Sequence, residues 1–157
     1  YTIPNGYPLA MCLVGNTLFM ATTQKELLAL NLKDRSIIWT KDLAGYGYDS
    51  MIFTNNVLFV QAKDLYAFEA AQGKIIWQIK AKSEEGFCRG APIVTNDSLY
   101  ASEQSGRLVS AGLNDGSVTM EHNFKEIVRS PLTIDGDLLY IPSTQKRIYA
   151  VDIKGLK

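Results

Sequence analysis

The sequence predicts an all-β protein, a β-propeller built of four-stranded antiparallel blades. Three observations in its 157 residues predict this fold: a unit that recurs about every forty residues, four short apolar runs in each unit, and tight-turn residues between the runs. Apolar residues do not recur at helical spacing over any long segment. Repeated units of about 40–45 residues with four strands each are typical of propeller blades.

The repeat is clearest at an aliphatic–aromatic pair that follows a turn. The aromatic residues of this pair lie 40, 41 and 40 residues apart, at Phe19, Phe59, Tyr100 and Tyr140. A small residue begins the first run of each unit with nearly the same period, at Ala10, Ser50, Ala91 and Ser130. Each run is about 4–6 residues long, which is the length of a strand rather than of a helix.

Each strand of a blade has its own run. The first strand is predicted from AMCLV, SMIFT, APIVT and SPLTI, and the second from the pair LF or LY with its neighbours. The third is predicted from LLAL, LYAF, LVSA and IYAV, and the outermost from IIW, IIW and VTM. The turns between the first two strands carry Asn, Asp or Gly, which tolerate the positive φ that tight hairpins need.

The fourth unit reaches Lys157 where its outermost run would begin. We therefore predict one propeller region over 1–157, with blades at approximately 8–40, 48–78, 89–121 and 128–157. Four blades are a partial ring, a half-ring that a second copy completes as a homodimer, or a small ring closed by itself. The register of the repeat leaves these alternatives open.

Composition and charge exclude several classes of protein. Lys and Arg together number 16, as do Asp and Glu, so the formal net charge is zero and a nucleic-acid partner is not expected. No apolar run is long enough to span a membrane. The two cysteines and the single histidine form no metal-binding motif, and no nucleophile motif is present, so we predict neither a metal site nor catalytic residues.

The second unit carries the most specific motif. LYAFEA (65–70) followed by GKIIW (73–77) resembles the PQQ-like, quinoprotein-type β-propeller repeat, and the other units keep parts of the same pattern over nearly the whole chain. Such propellers usually have seven or eight blades. The family includes quinoprotein dehydrogenases, sensor domains of kinases and the propeller lipoprotein of the outer-membrane protein assembly machinery, so the fold does not decide the function.

The outer-membrane assembly propeller is the nearest functional model that this resemblance offers. It implies a non-enzymatic scaffold that binds a protein or peptide and lies outside the cytoplasm, in the periplasm or secreted. The alternative is part of a PQQ-dependent dehydrogenase or a small-ligand sensor. In the dehydrogenases Ca²⁺ and a stacking Trp usually hold the quinone, often with a vicinal Cys pair. This sequence has no adjacent cysteines and no cluster of acidic residues at strand ends, so no cofactor is expected.

Candidate binding residues lie on the long connections from one blade to the next, at 40–49, 78–90 and 121–129. Loops on a rigid scaffold commonly bind partners, and Tyr and Arg are common interface anchors. The predicted loop-rich face carries Tyr46, Tyr48, Asp49, Phe87, Arg89, Phe124 and Arg129. Alternatively, these aromatic rings pack beneath their own loops. Trp39 and Trp77 recur at one repeat position, which predicts a structural role in packing blade on blade.

Overall fold

The structure, a computed structural model, describes residue 3 and residues 6–46, 51–88 and 90–154. These residues form fifteen β-strands and no helix, arranged as four separate antiparallel sheets. In every sheet the strands follow each other in chain order, so each blade is a meander. The predicted all-β fold of four blades is confirmed.

The strands of the four blades are as follows. The first blade contains β1 (Pro8–Val14), β2 (Thr17–Thr22), β3 (Glu26–Asn31) and β4 (Ile37–Asp42). The second contains β5 (Met51–Thr54), β6 (Val57–Gln61), β7 (Leu65–Glu69) and β8 (Lys74–Ile79). The third contains β9 (Ile93–Val94), β10 (Ser98–Ser102), β11 (Arg107–Gly112) and β12 (Val118–Asn123). The fourth contains β13 (Thr133–Asp135), β14 (Leu138–Ser143) and β15 (Arg147–Asp152).

The innermost strands of the third and fourth blades are shorter than the sequence predicts. The runs APIVT and SPLTI each contain a proline, Pro92 or Pro131, and the strands begin only after it, at Ile93 and Thr133. Proline has no N–H to donate to a neighbouring strand, so Pro92 and Pro131 delay the start of pairing. The paired part of these two blades therefore starts two or three residues later than predicted.

Alternation along the strands gives every blade two apolar faces. We call the face toward the next blade in chain order the front face and the other the back face. In the first blade the front face presents Phe19 and Leu27, which pack against Leu58 and Val60 on the back face of the second blade. Successive side chains of a strand point to opposite sides of the sheet, so alternate residues of an apolar run supply the front and the back face.

The same arrangement builds the next two joints, as we call the apolar layers between successive blades. Phe59 and Leu65 on the front of the second blade pack with Leu99 on the back of the third. The third joint follows the pattern with residues at the same repeat positions, Tyr100 and Leu108 against Leu139 and Ile141. Within the described residues the core is thus a series of layers between successive sheets, as in other repeat proteins.

The structure places both tryptophans at these joints. Trp39 and Trp77 are 8% and 7% exposed. The Trp39 Nε1–H donates to the carbonyl of Ala70 in the second blade at 2.9 Å. The Trp77 Nε1–H donates to the carbonyl of Leu113 in the third blade, also at 2.9 Å. Each indole thus belongs to one blade and satisfies its polar atom on the next.

A glycine lies under each indole. Gly73 has φ +66°, and a Cβ built there would come within 2.6 Å of the Trp39 ring. Gly116 has φ +67°, and its Cβ would come within 2.7 Å of the Trp77 ring. These glycines are needed twice over, because the turn requires a left-handed backbone and the indole leaves no room for a side chain.

Substitution of Gly73 by alanine is expected to destabilise the fold by about 2–5 kcal/mol, combining the left-handed strain of alanine with overpacking against Trp39. Gly136→Ala is the matched control. Gly136 has φ +57°, and a Cβ there would meet nothing within 4 Å. The Gly136→Ala substitution should lower the free energy of unfolding by only about 1–2 kcal/mol, because it strains the backbone without a steric clash. Urea unfolding of both variants measures the difference, and equal losses would contradict close packing of the indole on Gly73.

Candidate functional site

The connections between blades lie on the same face as the turns between second and third strands. The amide of Leu43 donates to the carbonyl of Lys25 at 2.7 Å, and the amide of Phe87 donates to that of Lys63 at 3.2 Å. In the third connection the amide of Val128 donates to the carbonyl of Gln104 at 3.1 Å. These backbone bonds join connections and turns into the predicted loop-rich face.

Buried side chains hold the connections from below. The Tyr66 hydroxyl accepts the amide N–H of Ala44 at 2.9 Å, which fixes the first connection on the second blade. The Gln61 side-chain amide donates to the carbonyl of Cys88 at 3.0 Å, which fixes the second. Burial raises the pKa of the Cys88 thiol to about 11. Cys88 is therefore a protonated packing residue at neutral pH, and both cysteines are free thiols.

A buried ion pair holds the start of the second connection. The Glu103 side chain, fully buried, accepts the amide N–H groups of Lys82 and Ser83 at 3.0 Å each and a hydrogen bond from the Arg107 guanidinium. The other end of that guanidinium donates to Glu121 at 3.2 Å. Burial acts to raise the pKa of Glu103, but the N–H of Lys82 and the guanidinium of Arg107 outweigh it and the pKa is lowered.

A second carboxylate holds the third connection. Glu126 is buried and accepts hydrogen bonds from the Ser143 hydroxyl and the Arg147 guanidinium, both of the fourth blade. The hydrogen bond from Ser143 is the main cause that lowers the pKa of Glu126. The next residue, Ile127, is 46% exposed. The ion pair therefore fixes the connection directly beside an exposed apolar side chain.

The predicted site residues lie in different surroundings. Tyr46 is 38% exposed, with the Lys25 ammonium 5.4 Å from its ring centroid. Arg129 is exposed. Phe124 is half-buried between His122 and Tyr149, with ring centroids 4.5 and 4.6 Å away. Three further predicted residues lie outside the described residues: Tyr48, Asp49 and Arg89.

The predicted exposure of Phe87 is corrected by the structure. Its ring is only 3% exposed and packs in the core between the second and third blades. Phe87 also pairs with Glu103 in an isolated β-bridge, which fixes this part of the connection on the third blade. Its aromatic ring thus packs beneath its own loop, the alternative that the sequence left open.

A small groove on the loop-rich face brings one predicted residue together with one that was missed. Its volume is about 180 Å³, and it is lined by Glu85, Gln104, Ser105, Ile127 and Arg129. Ile127 was not predicted, because the sequence does not show that Ile127 is exposed while the neighbouring apolar residue Val128 is buried. The groove combines an exposed aliphatic side chain with charged groups of both signs, a composition suited to a protein surface.

Larger cavities lie on the opposite face, at the turns. One of about 420 Å³ between the first two blades is lined by Val14, Phe19 and Phe53 among others. A cavity of about 270 Å³ lies at the equivalent place between the second and third blades. Both are lined by repeat-phased core residues such as Phe19 and Phe59, so the cavities themselves arise from the packing of blades at the joints.

Within the described residues, no group of three or more His, Cys, Asp or Glu side chains is placed to hold a metal ion. The same residues include no helix with the length and apolarity to cross a membrane.

Comparison with known families decides the identity of this propeller. Residues 6–156 match the family described as outer membrane protein assembly factor BamB. The chain belongs to this family. A BamB of Alkalilimnicola ehrlichii is 25% identical over 131 residues, which are 82% of this chain and 33% of that protein. The four units of the sequence are thus blades of a BamB-type propeller, and the predicted PQQ-like repeat family is confirmed.

Solved structures agree on the fold. BamB from Moraxella catarrhalis superposes with a TM-score of 0.81 at 12% identity, over 97% of this chain and 48% of that chain. A europium-containing methanol dehydrogenase superposes less well, with a TM-score of 0.69 at 16% identity, over 99% of this chain and 42% of that one. This BamB-family chain spans about a third of the curated relative and about half of the BamB of known structure.

Proposed function

We propose that this BamB-family chain is a non-enzymatic scaffold that binds a protein partner through its loop-rich face in outer-membrane protein assembly. The observation that carries the proposal is the family match over residues 6–156, nearly the whole chain. The relatives are named assembly factors for outer membrane proteins, so we propose an extracytoplasmic, periplasmic location for this chain as well.

The loop-rich face supports the proposal by its chemistry. Ile127 and Arg129 are exposed side by side on a connection that Glu126 fixes to the fourth blade. A connection that is already rigid loses less conformational entropy when a partner binds. Interfaces depend on a few anchors, among which Arg is enriched, surrounded by contacts that exclude water. We place the anchors of the partner site at Ile127 and Arg129, with Tyr46 at a second position on the same face.

We also propose that this role needs no PQQ and no Ca²⁺. Calcium requires six or more oxygen ligands, several of them carboxylates. The buried carboxylates of the described chain are already engaged: Glu103 with Arg107, and Glu126 with Arg147. Asp64 accepts hydrogen bonds from Gln78 and from the amide of Ala81. They stabilise the connections and are not free to hold an ion.

Ile127→Asp is expected to weaken binding to purified subunits of a bacterial outer-membrane protein assembly machinery by about tenfold or more, as for an interface anchor. Biolayer interferometry with the immobilised chain measures the change. Ile76→Asp is the matched control, because Ile76 is similarly exposed, at 42%, but lies on the outer strand of the second blade. The control should bind as the unmodified chain does.

Two results would contradict the proposal. Equal affinity of both variants would remove the partner site from the loop-rich face. A clear rise in melting temperature on adding PQQ with Ca²⁺ would favour the quinoprotein alternative, because a ligand that binds only the native state stabilises it.

A further inference from the structure

The cavity between the second and third blades lies on the face opposite the loop-rich face, which we call the turn face. Its volume is about 270 Å³. Both blades contain all four strands, and each packs on a further blade at its other joint. The walls of this cavity are therefore formed by blades that have their full set of strands and both neighbours.

The cavity has an apolar floor and a polar rim. Phe59 is buried at its floor, and Val57 and Leu113 are half-buried beside it. The rim carries four exposed side chains with oxygen acceptors: Asn55, Asn96, Asp97 and Asn114. In the equivalent cavity between the first two blades, Ala71 occupies the repeat position of Asn114. The floor thus follows the repeat, whereas the rim is particular to this joint.

The side chains of this rim are not used to hold their own turns. In other turns on the same face the side chain accepts a local backbone N–H: Asn31 accepts that of Lys33 at 2.9 Å, and Asp115 accepts that of Ser117 at 3.0 Å. Within the described chain, the four rim side chains make no such hydrogen bond. Their oxygen atoms are therefore available to a ligand.

The backbone at this rim also differs from that of the other blades. In those blades the amide that follows the third strand donates to the carbonyl of a residue in the turn between the first two strands. The pairs are Leu32–Asn16, Ala70–Asn56 and Ile153–Asp137, at 2.8, 3.0 and 2.9 Å. The equivalent residues of the third blade are Leu113 and Asp97, and in the described structure no backbone hydrogen bond joins them. Both residues line the cavity, so the Asp97 carbonyl adds a further acceptor to the rim.

The charge and size of the cavity indicate the class of ligand. Asp97 is the only charged residue among those that line it, which favours a cation. The volume is below the range of about 300–1,000 Å³ typical of small-molecule pockets, so it suits a single long side chain. Phe59, the only aromatic residue of the lining, is 1% exposed and offers no flat surface on which a sugar ring could stack.

We propose that this cavity binds an arginine side chain of a partner polypeptide. A guanidinium presents five donors in a planar fork, which suits acceptors spread around a rim better than the compact ammonium of lysine does. It donates to the carboxylate of Asp97 and to the side-chain oxygens of Asn55 and Asn114. The alkyl part of the arginine lies on Val57 and Leu113. The site is on the face opposite Ile127, so it is tested independently of the loop-rich face.

Titration of the isotope-labelled 157-residue chain with Nα-acetyl-arginine amide, followed by NMR, tests the proposal. The blocked amino acid imitates an arginine within a polypeptide. Saturable shifts of the amides of Asn96, Asp97, Leu113 and Asn114 are expected, with a dissociation constant on the order of 1 mM for so small a ligand. Nα-acetyl-citrulline amide, which has the same shape without the charge, should bind about tenfold more weakly, because charge-assisted hydrogen bonds are the stronger ones.

Asp97→Asn should weaken binding of the arginine derivative about tenfold for the same reason. Asp135→Asn is the matched control, because it removes an equal charge from an exposed turn of the fourth blade that does not line the cavity. The control should bind as the unmodified chain does. Asp97 is exposed and its side chain holds no turn, so Asp97→Asn should keep the melting temperature of the unmodified chain.

Four outcomes would overturn the proposal. The first is the absence of saturable shifts, and the second is equal affinity for the arginine and citrulline derivatives. The third is an equal effect of Asp97→Asn and Asp135→Asn. The fourth is tighter binding of methyl glucoside or of free arginine at the same amides, which would make the ligand a sugar or a free amino acid instead of a polypeptide side chain.

Discussion

Replacing Trp77 by alanine is expected to lower the free energy of unfolding by about 3–5 kcal/mol, as for other buried aromatic residues. The indole is 7% exposed, with the Phe59 ring at 5.7 Å between centroids on the same front face. Its loss leaves a cavity between two blades above Gly116. It also leaves the carbonyl of Leu113 without the N–H that now reaches it at 2.9 Å.

Chemical denaturation followed by far-ultraviolet circular dichroism measures this loss. Trp77→Phe is the informative control, because it keeps an aromatic ring at the joint and removes the indole N–H. It should lose less than Trp77→Ala, with the hydrogen bond itself contributing about 1 kcal/mol. A loss under about 1 kcal/mol for the alanine variant would mean that the indole does not seal the joint.

Replacing Glu103 by glutamine should destabilise the chain by about 3 kcal/mol, because removing one partner of a buried ion pair leaves the other charge poorly compensated. Arg107 has a side chain only 6% exposed and would keep only Glu121, which is itself 38% exposed. Glu84→Gln is the control. The Lys63–Glu84 pair is exposed, so its loss should cost less than about 0.5 kcal/mol.

The pH dependence of stability offers a second measurement of the same pair. The folded-state pKa of Glu103 lies below its ordinary value of 4.5. Its stabilising contribution is therefore complete above that pH and is lost as the pH falls through the lower, folded value. The unmodified chain should lose stability on acidification below about pH 4.5 more steeply than Glu103→Gln. Parallel curves for the two proteins would contradict a stabilising ionised Glu103.

The repeat made most of the fold predictable from the sequence. Phe19, Phe59, Tyr100 and Tyr140 recur at nearly constant spacing, and all four lie on second strands. The recurrence of Trp39 and Trp77 indicated a packing role, and the structure places both at blade joints. The period was informative because each blade packs on the next through residues at equivalent repeat positions.

The candidate site was less predictable because the connections do not repeat. Phe87 and Tyr46 are both aromatic residues on connections, yet the first is buried and the second is more than a third exposed. Ile127 was missed because it lies on a connection that Glu126 fixes to the fourth blade through Ser143 and Arg147. Sequence spacing carries no information about such long-range hydrogen bonds.

By itself, the sequence determined the strands, their order in each blade and the residue types at the blade joints. Strands and turns follow from the alternation of side chains along a strand and from the residue types of the turns. Both depend only on residues that are near each other in the chain. Only the tertiary structure decided which connection residues are exposed and which are buried. Those properties depend on contacts between parts that are distant in the chain, where Glu103 holds the amides of Lys82 and Ser83 and where Glu126 accepts hydrogen bonds from Ser143 and Arg147.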